Sequence, residues 1–400
     1  MAGSTIDHLI AMTIFLGALL IFISLFNQTI QTAILYQRNR AIATKCSDLL
    51  DNMLLNPGYP LDWGKNDSAT VTIFGLQDPE FTQYRLSPFS LMRLHSSMGQ
   101  PIYYSETNEY YSNITMGFGS FLLVSSAKAL NHSTVARLLG INNTYGFQLA
   151  LTPLINVSIS ESHGGNPLTL NVMVTGNGIP LADATVSYML ITVKNGADFP
   201  SYDIALSNNL CTDDEGSCVL NFQNVNASES YAFIAYARLG GLVGVGYRQR
   251  IMAESHVIPL VENISERRVI LAHSRDICNI GLSPVSFNAT FIILSQDFSL
   301  RPVRIEDPAW EVDPGDYVNL TIPTFEPGIL VVAYQQNDNN KTGVVLMPWG
   351  VSSMGFPVVF GGDPSDKTWV ATDIRQVIVG NVAYQAKLAL WSLEGYGVMG

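Results

Sequence analysis

Residues that could carry chemistry are few in this chain and scattered along it. Histidine occurs six times and cysteine four times in 400 residues. The histidines show neither H-x-x-x-H nor H-E-x-x-H spacing, which places two ligands on one helix face for zinc. Neither a G-x-S-x-G nucleophile elbow nor a phosphate-binding loop is present. We therefore expect a protein that is not an enzyme and that holds no cofactor or metal.

Two acidic turns are the remaining candidates for a metal site. Asp213, Asp214 and Glu215 crowd three acids into one turn, and Asp363 and Asp366 flank a second turn that contains proline. Calcium loops place their ligands at alternating positions, and neither turn has that spacing. Solvated turns are therefore the favoured interpretation of both.

Cys211 and Cys218 flank the first acidic turn. Two cysteines at matched positions of a hairpin can form a disulfide, which would add roughly 2.5 kcal/mol for a loop of about eight residues. The alternative is a metal or redox pair, but a redox site favours C-x-x-C spacing and a zinc site requires further ligands. The spacing predicts a structural disulfide.

These residues must be positioned by a chain that opens with a long apolar stretch. Residues 9–26 are eighteen uncharged, mostly apolar residues. As a helix they span roughly 27 Å, close to the hydrocarbon thickness of about 30 Å. This stretch can therefore cross a bilayer.

The helical pattern continues well beyond that stretch. No proline or glycine occurs between Gly17 and Pro57, so the helix is expected to extend to Leu55, a length of about 75 Å in total. Apolar residues recur every seven positions along its second half, which predicts a seam that needs a packing partner. Small residues at spacings of four and seven form a second face in the first half, which allows helices to approach closely in lipid. The predicted packing residues are Thr13, Gly17, Ser24, Leu35, Ile42 and Leu49.

Three interpretations of the apolar stretch compete. A cleaved signal peptide requires a basic n-region and a shorter apolar core, and neither is present. A single-span anchor explains residues 9–26 alone. A helix that packs into a filament core after leaving the membrane also explains the seam beyond the membrane, and it is the favoured interpretation.

The first 26 residues, MAGSTIDHLIAMTIFLGALLIFISLF, resemble the N-termini of archaeal type IV pilin-like proteins, which include the archaellins. The shared features are a small-residue processing region, a short polar segment and a long apolar helix before a β-rich outer domain. The resemblance implies cleavage after Gly3, which leaves Ser4 first and Asp7 or His8 as the polar residue near the new amine. The chain departs from the family pattern because no basic residue precedes Gly3.

Composition narrows the class of the remaining chain. Charged residues make up only 14% and aromatic residues 10%, which is typical of an extracellular β-rich protein. A net charge of −12 excludes nucleic acid as a favoured partner, because a duplex would repel the protein. The expected partners are a membrane and further copies of this chain or other pilin-like subunits. Carbohydrate is a candidate partner because Tyr103, Tyr104, Tyr110 and Tyr111 cluster, although such alternation more often marks a half-buried surface.

Two signals disagree about sidedness. Arg38, Arg40 and Lys45 follow the span and Asp7 precedes it, so the positive-inside rule would place the large C-terminal part in the cytoplasm. Eleven Asn-x-Ser/Thr sequons occur where roughly four are expected by chance, and this excess favours a glycosylated outer surface. Asn27 lies too close to the membrane to be a good acceptor. The predicted glycosylation sites are Asn66, Asn113, Asn131, Asn142, Asn156, Asn226, Asn263, Asn288, Asn319 and Asn340.

Short strands separated by turn residues follow the helix. The stretches GIPLADATVSYML, TDDEGSCVLNF and YAFIAYAR (residues 178–190, 212–222 and 231–238) are similar to bacterial and archaeal Ig-like surface repeats and carboxypeptidase-regulatory-like domains. That resemblance implies a β-sandwich spacer or adhesion module. The predicted fold is mainly β: a long N-terminal transmembrane or pilin-like helix (1–56) followed by two or three antiparallel β-sandwich domains. Their predicted ranges are 57–163, 164–253 (the Ig-like module) and 254–400.

The predicted function is that of a cell-surface protein that serves as a structural or adhesive subunit of a pilus-like filament. The alternative is a single-span surface receptor or binding protein with Ig-like outer domains. Both place residues 57–400 outside the cell, either on the membrane or in an extracellular filament.

Overall fold

The first element is a 54-residue helix, α1, from Ala2 to Leu55. The computed structural model describes residues 2–81, 84–94, 101–115, 121–295 and 299–393. The helix ends where predicted, at Asn56-Pro57-Gly58. There the Gly58 N–H donates to Asn56 Oδ1 at 2.9 Å, and Gly58 has a φ of +79°, which favours glycine.

The second half of α1 packs on a sheet assembled from distant parts of the chain, named here the docking sheet. Its strand order is β1-β23-β24-β5-β22. The β1 and β23 strands are parallel, and the other pairs are antiparallel. Its strands are β1 (Arg85–Leu86), β5 (Tyr145–Pro153), β22 (Val358–Gly361), β23 (Ala371–Val379) and β24 (Val382–Ser392).

Residues 155–250 form a two-sheet β-sandwich, named here the module sandwich. One sheet has the order β10-β9-β12-β13, and the other has the order β11-β7-β6 with β8 on β7. The β-sandwich predicted for the Ig-like region is therefore confirmed. The strands are β6 (Ile155–His163), β7 (Leu168–Gly176), β8 (Ile179–Pro180), β9 (Thr185–Lys194), β10 (Ser201–Cys211), β11 (Ser217–Phe222), β12 (Ser230–Leu239) and β13 (Leu242–Arg250).

The central strand β12 is buried on both faces. Phe233 and Ala235 point into the module sandwich, whereas Ala232, Ile234 and Tyr236 pack in the main core of the molecule. This explains why YAFIAYA is an almost continuous apolar run, as in strands covered on both sides. The module sandwich is thus embedded in the fold through its four-stranded sheet.

Two further sheets complete the β-rich part. A six-stranded sheet has the order β19-β15-β14-β4-β3-β2, and a five-stranded sheet is built around β16. The first contains β2 (Ile102–Tyr104), β3 (Glu109–Thr115), β4 (Phe121–Ser125), β14 (Val257–Asn263), β15 (Arg268–His273) and β19 (Tyr317–Thr321). The second contains β16 (Val285–Leu294), β17 (Leu300–Val303), β18 (Ala309–Val312), β20 (Gly328–Gln336) and β21 (Thr342–Trp349).

Within the described ranges, four short helical segments connect these sheets. Ser87 caps α2 (Pro88–Met92) by accepting from the Ser90 N–H, and proline occupies the first position of this helix. Asn131 caps α3 (His132–Leu138). The others are α4 (Ser274–Cys278) and a 3-10 helix (Val351–Met354).

The mostly apolar stretch of residues 146–159 is divided between two strands in the structure. β5 ends at Pro153 in the docking sheet, and β6 begins at Ile155 in the module sandwich. Between them, the Leu154 N–H donates to Ala383 O at 2.9 Å. The chain changes sheets at this point, so strands from residues 57–163 pair both with the module and with strands from residues 254–400.

Candidate functional site

The first half of α1 is the surface that stands out. Every described side chain in residues 6–37, named here the exposed half, is exposed. Among the described residues, α1 is the one helix long and apolar enough to cross a membrane, and its apolar window contains no buried residue. A helix that is apolar on all sides requires burial in lipid or among other chains.

The second half of α1, residues 38–55, is named here the docked half. It has one buried face and one exposed face. It contacts β23 and β24 of the docking sheet through one apolar face, while its opposite face carries charged side chains. The buried residues of this face are Ile42, Cys46, Leu49, Leu50, Met53 and Leu54.

Polar contacts fasten the docked half to the docking sheet. Arg375 on β23 donates from Nε to Asp51 Oδ1 at 3.0 Å and from Nη2 to Asp51 Oδ2 at 3.2 Å, a bidentate pair. Its Nη2 also donates to Ser47 Oγ at 3.1 Å. These hydrogen bonds, first that to Asp51, raise the pKa of the Arg375 guanidinium. Arg38 Nη2 donates to Ser392 Oγ at 2.9 Å, at the other end of the contact.

Cys46 lies inside this contact. Its Sγ is 3.5 Å from Leu388 O and 3.7 Å from Ala371 O. Burial is the largest influence on the thiol and raises its pKa from an ordinary 9.0 to about 11. Cys46 is therefore a packed thiol between helix and sheet.

The predicted packing residues separate into two groups. Ile42 and Leu49 are each 3% exposed, but their partner is the docking sheet of the same chain. Leu35, Thr13, Gly17 and Ser24 lie in the exposed half, and a Cβ added at Gly17 would meet no atom within 4 Å. From Arg38 onward, the docking sheet covers the seam, so no neighbouring helix is needed there. The small-residue face of Thr13, Gly17 and Ser24 remains uncovered.

Sequence reasoning missed several residues of the docked contact. Leu50 and Leu54 are buried, although they fall outside the seven-residue repeat that picked out Leu49. Arg375 shows no signal in the sequence, because its partner Asp51 is more than 300 residues away. A helical pattern wider than the coiled-coil seam would have found the leucines.

The cysteine pair lies differently from the prediction. Cys211 pairs with Thr185 of β9, and Cys218 pairs with Val172 of β7. These strands belong to opposite sheets of the module sandwich, so the predicted hairpin is wrong. The turn between the cysteines crosses from one sheet to the other, held by Thr212 Oγ1, which donates to Leu181 O at 2.7 Å.

Both cysteines of this pair are unbonded thiols in the structure, and burial is the main cause that raises the pKa of Cys218. A disulfide between them stays a prediction. It would join two sheets at the open edge of the module sandwich rather than brace one hairpin.

Most predicted glycosylation sites lie on the surface. The exposed ones are Asn66, Asn131, Asn142, Asn156, Asn226, Asn319 and Asn340. Asn263 and Asn288 are half-buried, and the side chain of Asn113 lies outside the described residues. Glycosylation itself stays a prediction.

The tyrosine cluster divides between the two faces of the six-stranded sheet. Tyr104 and Tyr111 are fully buried, and Tyr103 and Tyr110 are exposed. The rings of the exposed pair are tilted by 51° with their centroids 5.0 Å apart, and Tyr103 OH donates to Asn108 Oδ1 at 2.5 Å. Burial raises the pKa of Tyr111 to about 12. The alternation is that of a half-buried strand pair.

One carboxylate in each acidic turn accepts hydrogen bonds from backbone N–H groups of the same turn. Asp213 Oδ1 accepts from the N–H groups of Glu215 at 3.0 Å and Ser217 at 2.7 Å, and Asp363 Oδ1 accepts from the Ser365 N–H at 2.9 Å. These are Asx turns. Within the described ranges, no group of three or more His, Cys, Asp or Glu side chains could hold a metal ion.

Comparison with known proteins gives no family. No family model matches the chain, and no curated protein sequence matches it. Escherichia coli alpha-2-macroglobulin activated by porcine elastase is 10% identical over 56% of this chain, with a TM-score of 0.20. This chain covers only 23% of that protein's length.

Two smaller solved structures are similar in part. The D0-D1 domain of intimin is 13% identical over 53% of this chain and 98% of its own, with a TM-score of 0.20. A segment of two fibronectin type III domains from chicken tenascin is 10% identical over 50% of this chain and 99% of its own, with a TM-score of 0.15. TM-scores of this size carry no argument about function, which must come from the surfaces of the chain itself.

Proposed function

We propose that the chain is a cell-surface protein held by the exposed half of α1, and that it serves as a structural or adhesive subunit of a pilus-like filament. One observation carries the proposal: residues 6–37 are exposed on all sides, while residues 38–55 of the same helix are docked on the chain's own sheet. The exposed half therefore has no partner among the described residues.

Water is an unfavourable surrounding for that half. Leu20, Phe22 and Phe26 are 68%, 66% and 59% exposed, and burying each such side chain is worth about 1.5–3 kcal/mol. Lipid can cover residues 9–26, which match the hydrocarbon thickness of about 30 Å. A membrane thus accounts for the apolar stretch.

A membrane alone does not cover the whole exposed half. At about 1.5 Å per residue, residues 6–37 extend roughly 48 Å, so about 18 Å remains outside the hydrocarbon. That remainder includes Ile30, Ile34 and Tyr36, which are all exposed. Neighbouring helices in a filament would cover these side chains, and this favours the filament subunit over a lone anchor.

The second candidate is the single-span surface receptor or binding protein. The docking of Ile42 and Leu49 on the chain's own sheet supports this candidate, because the part of the seam that lies in the docked half is buried within one chain. The two candidates therefore differ only in what covers residues 6–37.

Ile34→Asp separates the candidates. On a lone anchor Ile34 stays in water, and the variant should behave like its control, Gln37→Asp, which adds the same charge one turn further along. In a helical bundle the introduced carboxylate would be a buried charge, which is strongly unfavourable. We expect Ile34→Asp to abolish sedimentable surface polymers and Gln37→Asp to retain them, as followed by electron microscopy of sheared cell-surface material.

Gly17→Leu tests the same point within the apolar stretch. Overpacking should cost about 1–3 kcal/mol per subunit in a bundle, whereas leucine in lipid is favourable. Ala18→Leu adds similar bulk on a different face and serves as the control. If the parent chain forms no polymer, or both Gly17→Leu and Ile34→Asp polymerise normally, the single-span surface protein replaces the filament subunit.

Sidedness is tested with protease added to intact cells. The sequon excess predicts that residues 57–400 are digested from outside. Protection until lysis would show that Arg38, Arg40 and Lys45 set the orientation instead.

A further inference from the structure

A cleft of about 720 Å³ lies where three parts of the molecule meet. It is bounded by α2 and the segment before it, by the β23–β24 turn with Tyr236 of the module sandwich, and by the β16 sheet with residues 324–327. Its volume falls within the roughly 300–1,000 Å³ of small-molecule sites, which often occur where structural units meet.

The floor of the cleft is aromatic and held rigidly. Phe325 contacts Phe89 edge to face at 6.2 Å, and Phe89 contacts Trp349 at 5.5 Å. Tyr236 is buried and donates from its hydroxyl to Ser353 O at 2.6 Å. Phe89, Trp349 and Tyr236 are almost fully buried and support the floor from below. Of these rings, the half-buried Phe325, which has the Arg267 guanidinium 5.3 Å from its centroid, offers the preformed apolar surface.

The rim of the cleft is polar, and its charges balance. Three cationic and three anionic side chains line it: Lys65, Arg85, Arg301, Asp78, Glu80 and Glu326. The carboxylates would repel a phosphorylated ligand, and the basic side chains would repel a cationic ligand. A neutral ligand avoids both repulsions.

Several of these groups have hydrogen-bonding capacity to spare. Asp78 Oδ1 accepts from the Glu80 N–H at 3.0 Å, whereas its other oxygen has no donor among the described residues. Partial burial is the largest influence on this carboxyl and raises its pKa, although Lys65 and Arg85 oppose the effect. Within the described residues, Arg301 and Glu326 form no ion pair, so both can turn toward a ligand.

We propose that this cleft binds a neutral carbohydrate. A sugar ring has an apolar C–H face that suits the Phe325 ring, and its hydroxyl groups both donate and accept, which suits carboxylates and guanidinium groups together. Neither the anchoring of α1 nor filament assembly enters this inference, so it can hold or fail independently of the proposed function.

The test uses the full chain in lipid nanodiscs, because sugar-headed detergents would compete for the cleft. The probes are neutral gluco-, manno-, galacto- and N-acetylglucosamine oligomers, with a sialylated oligosaccharide, a glucosamine oligomer and an uncharged peptide for comparison. Binding is measured by isothermal titration calorimetry. We expect at least one neutral oligosaccharide to bind the parent chain more tightly than any of the three comparison probes.

Matched variants locate the binding. Arg301→Ala with Glu326→Ala removes one charge of each sign from the rim, and we expect affinity to fall at least tenfold. Arg304→Ala with Glu306→Ala removes the same charges from exposed positions outside the cleft and should leave affinity unchanged. Asp78→Asn is a second cleft variant that keeps the shape of the side chain and should also weaken binding.

Three results would overturn the proposal. One is that no neutral oligosaccharide binds, and another is that the cleft and control variants bind equally well. The third is tighter binding of the charged sugars or of the peptide. None of these bears on whether the chain polymerises.

Discussion

The two halves of α1 contain similar apolar residues, but one half is buried along one face and the other half is exposed on all sides. The docked half buries one face against the docking sheet and exposes Arg40, Lys45 and Asp48 on the other. The exposed half, residues 6–37, is mostly apolar, carries no charged side chain from Leu9 onward, and is exposed at every described side chain. The same helix is therefore part of the folded body at one end, which consists of the docked half and the β-sheets and is named here the head. At its other end, the helix requires an apolar surrounding that the head does not provide.

The difference lies in charge rather than in hydrophobicity. Between Leu9 and Gln37 no charged side chain occurs, and the first one, Arg38, begins the contact with the head. Charged side chains on one face of a helix favour contact with water there, so the opposite face packs. A helix without charged side chains has no face that favours water. Arg38 thus marks the boundary between the part of the helix that packs on the rest of the chain and the part that does not.

The largest expected effect comes from deleting residues 2–37. Among the side chains that the structure describes, from residue 6 onward, no buried core residue precedes Ile42. The remainder should therefore fold, and it should be soluble because the apolar stretch is gone. Size-exclusion chromatography and membrane fractionation should show folded protein that no longer sediments with membranes. Deletion of residues 2–48 is the contrasting control, since it removes Ile42 and Cys46 and should give aggregated protein. Continued sedimentation of the shorter deletion with membranes would reveal a second membrane-binding surface.

A core truncation in the docked half should have the next largest effect. Leu50→Ala opens a cavity at a fully buried position and should lower the free energy of unfolding by about 2–5 kcal/mol. Leu20→Ala, at the exposed position in the other half, should leave the unfolding of the head unchanged. Thermal unfolding of both variants in nanodiscs, followed by tryptophan fluorescence, measures the contrast. Equal losses would mean that the exposed half packs on the head after all.

Thiol labelling gives the smallest and finest contrast. Cys46 is buried in the docked contact with its pKa raised to about 11, whereas Cys211 is exposed. In the reduced protein, maleimide should label Cys211 readily and Cys46 only after unfolding, because the thiolate is the reactive form. Peptide mass spectrometry measures both sites. Comparable labelling of both in the folded chain would show that the docked half detaches from its sheet.

Local patterns predicted much of this architecture. The end of α1 before Pro57-Gly58 and the short strands that follow the helix are specified by residues adjacent in the chain. The mainly β fold after a long helix is confirmed. Each of these features depends on neighbouring residues, so a single sequence contains the information.

Pairing between distant segments escaped prediction. Cys211 and Cys218 are seven positions apart, yet they enter different sheets, because turn residues specify a reversal and not the strand that follows. The break at Leu154 depends on Ala383, more than 200 residues away. Likewise, the continuous apolar run of β12 indicates that both faces of the strand are covered, but it does not indicate which segments of the chain cover them.

The sequence by itself determined which part of α1 requires an apolar surrounding, since the absence of charge between Leu9 and Gln37 is a local property. Only the tertiary structure decided what the seam at Ile42, Cys46 and Leu49 packs against. An apolar face specifies that it must be buried and does not specify its partner, because the hydrophobic effect is non-directional. The directional contact of Arg375 with Asp51 accompanies the docking of this seam, and it exists only once the C-terminal strands have folded back onto the first helix.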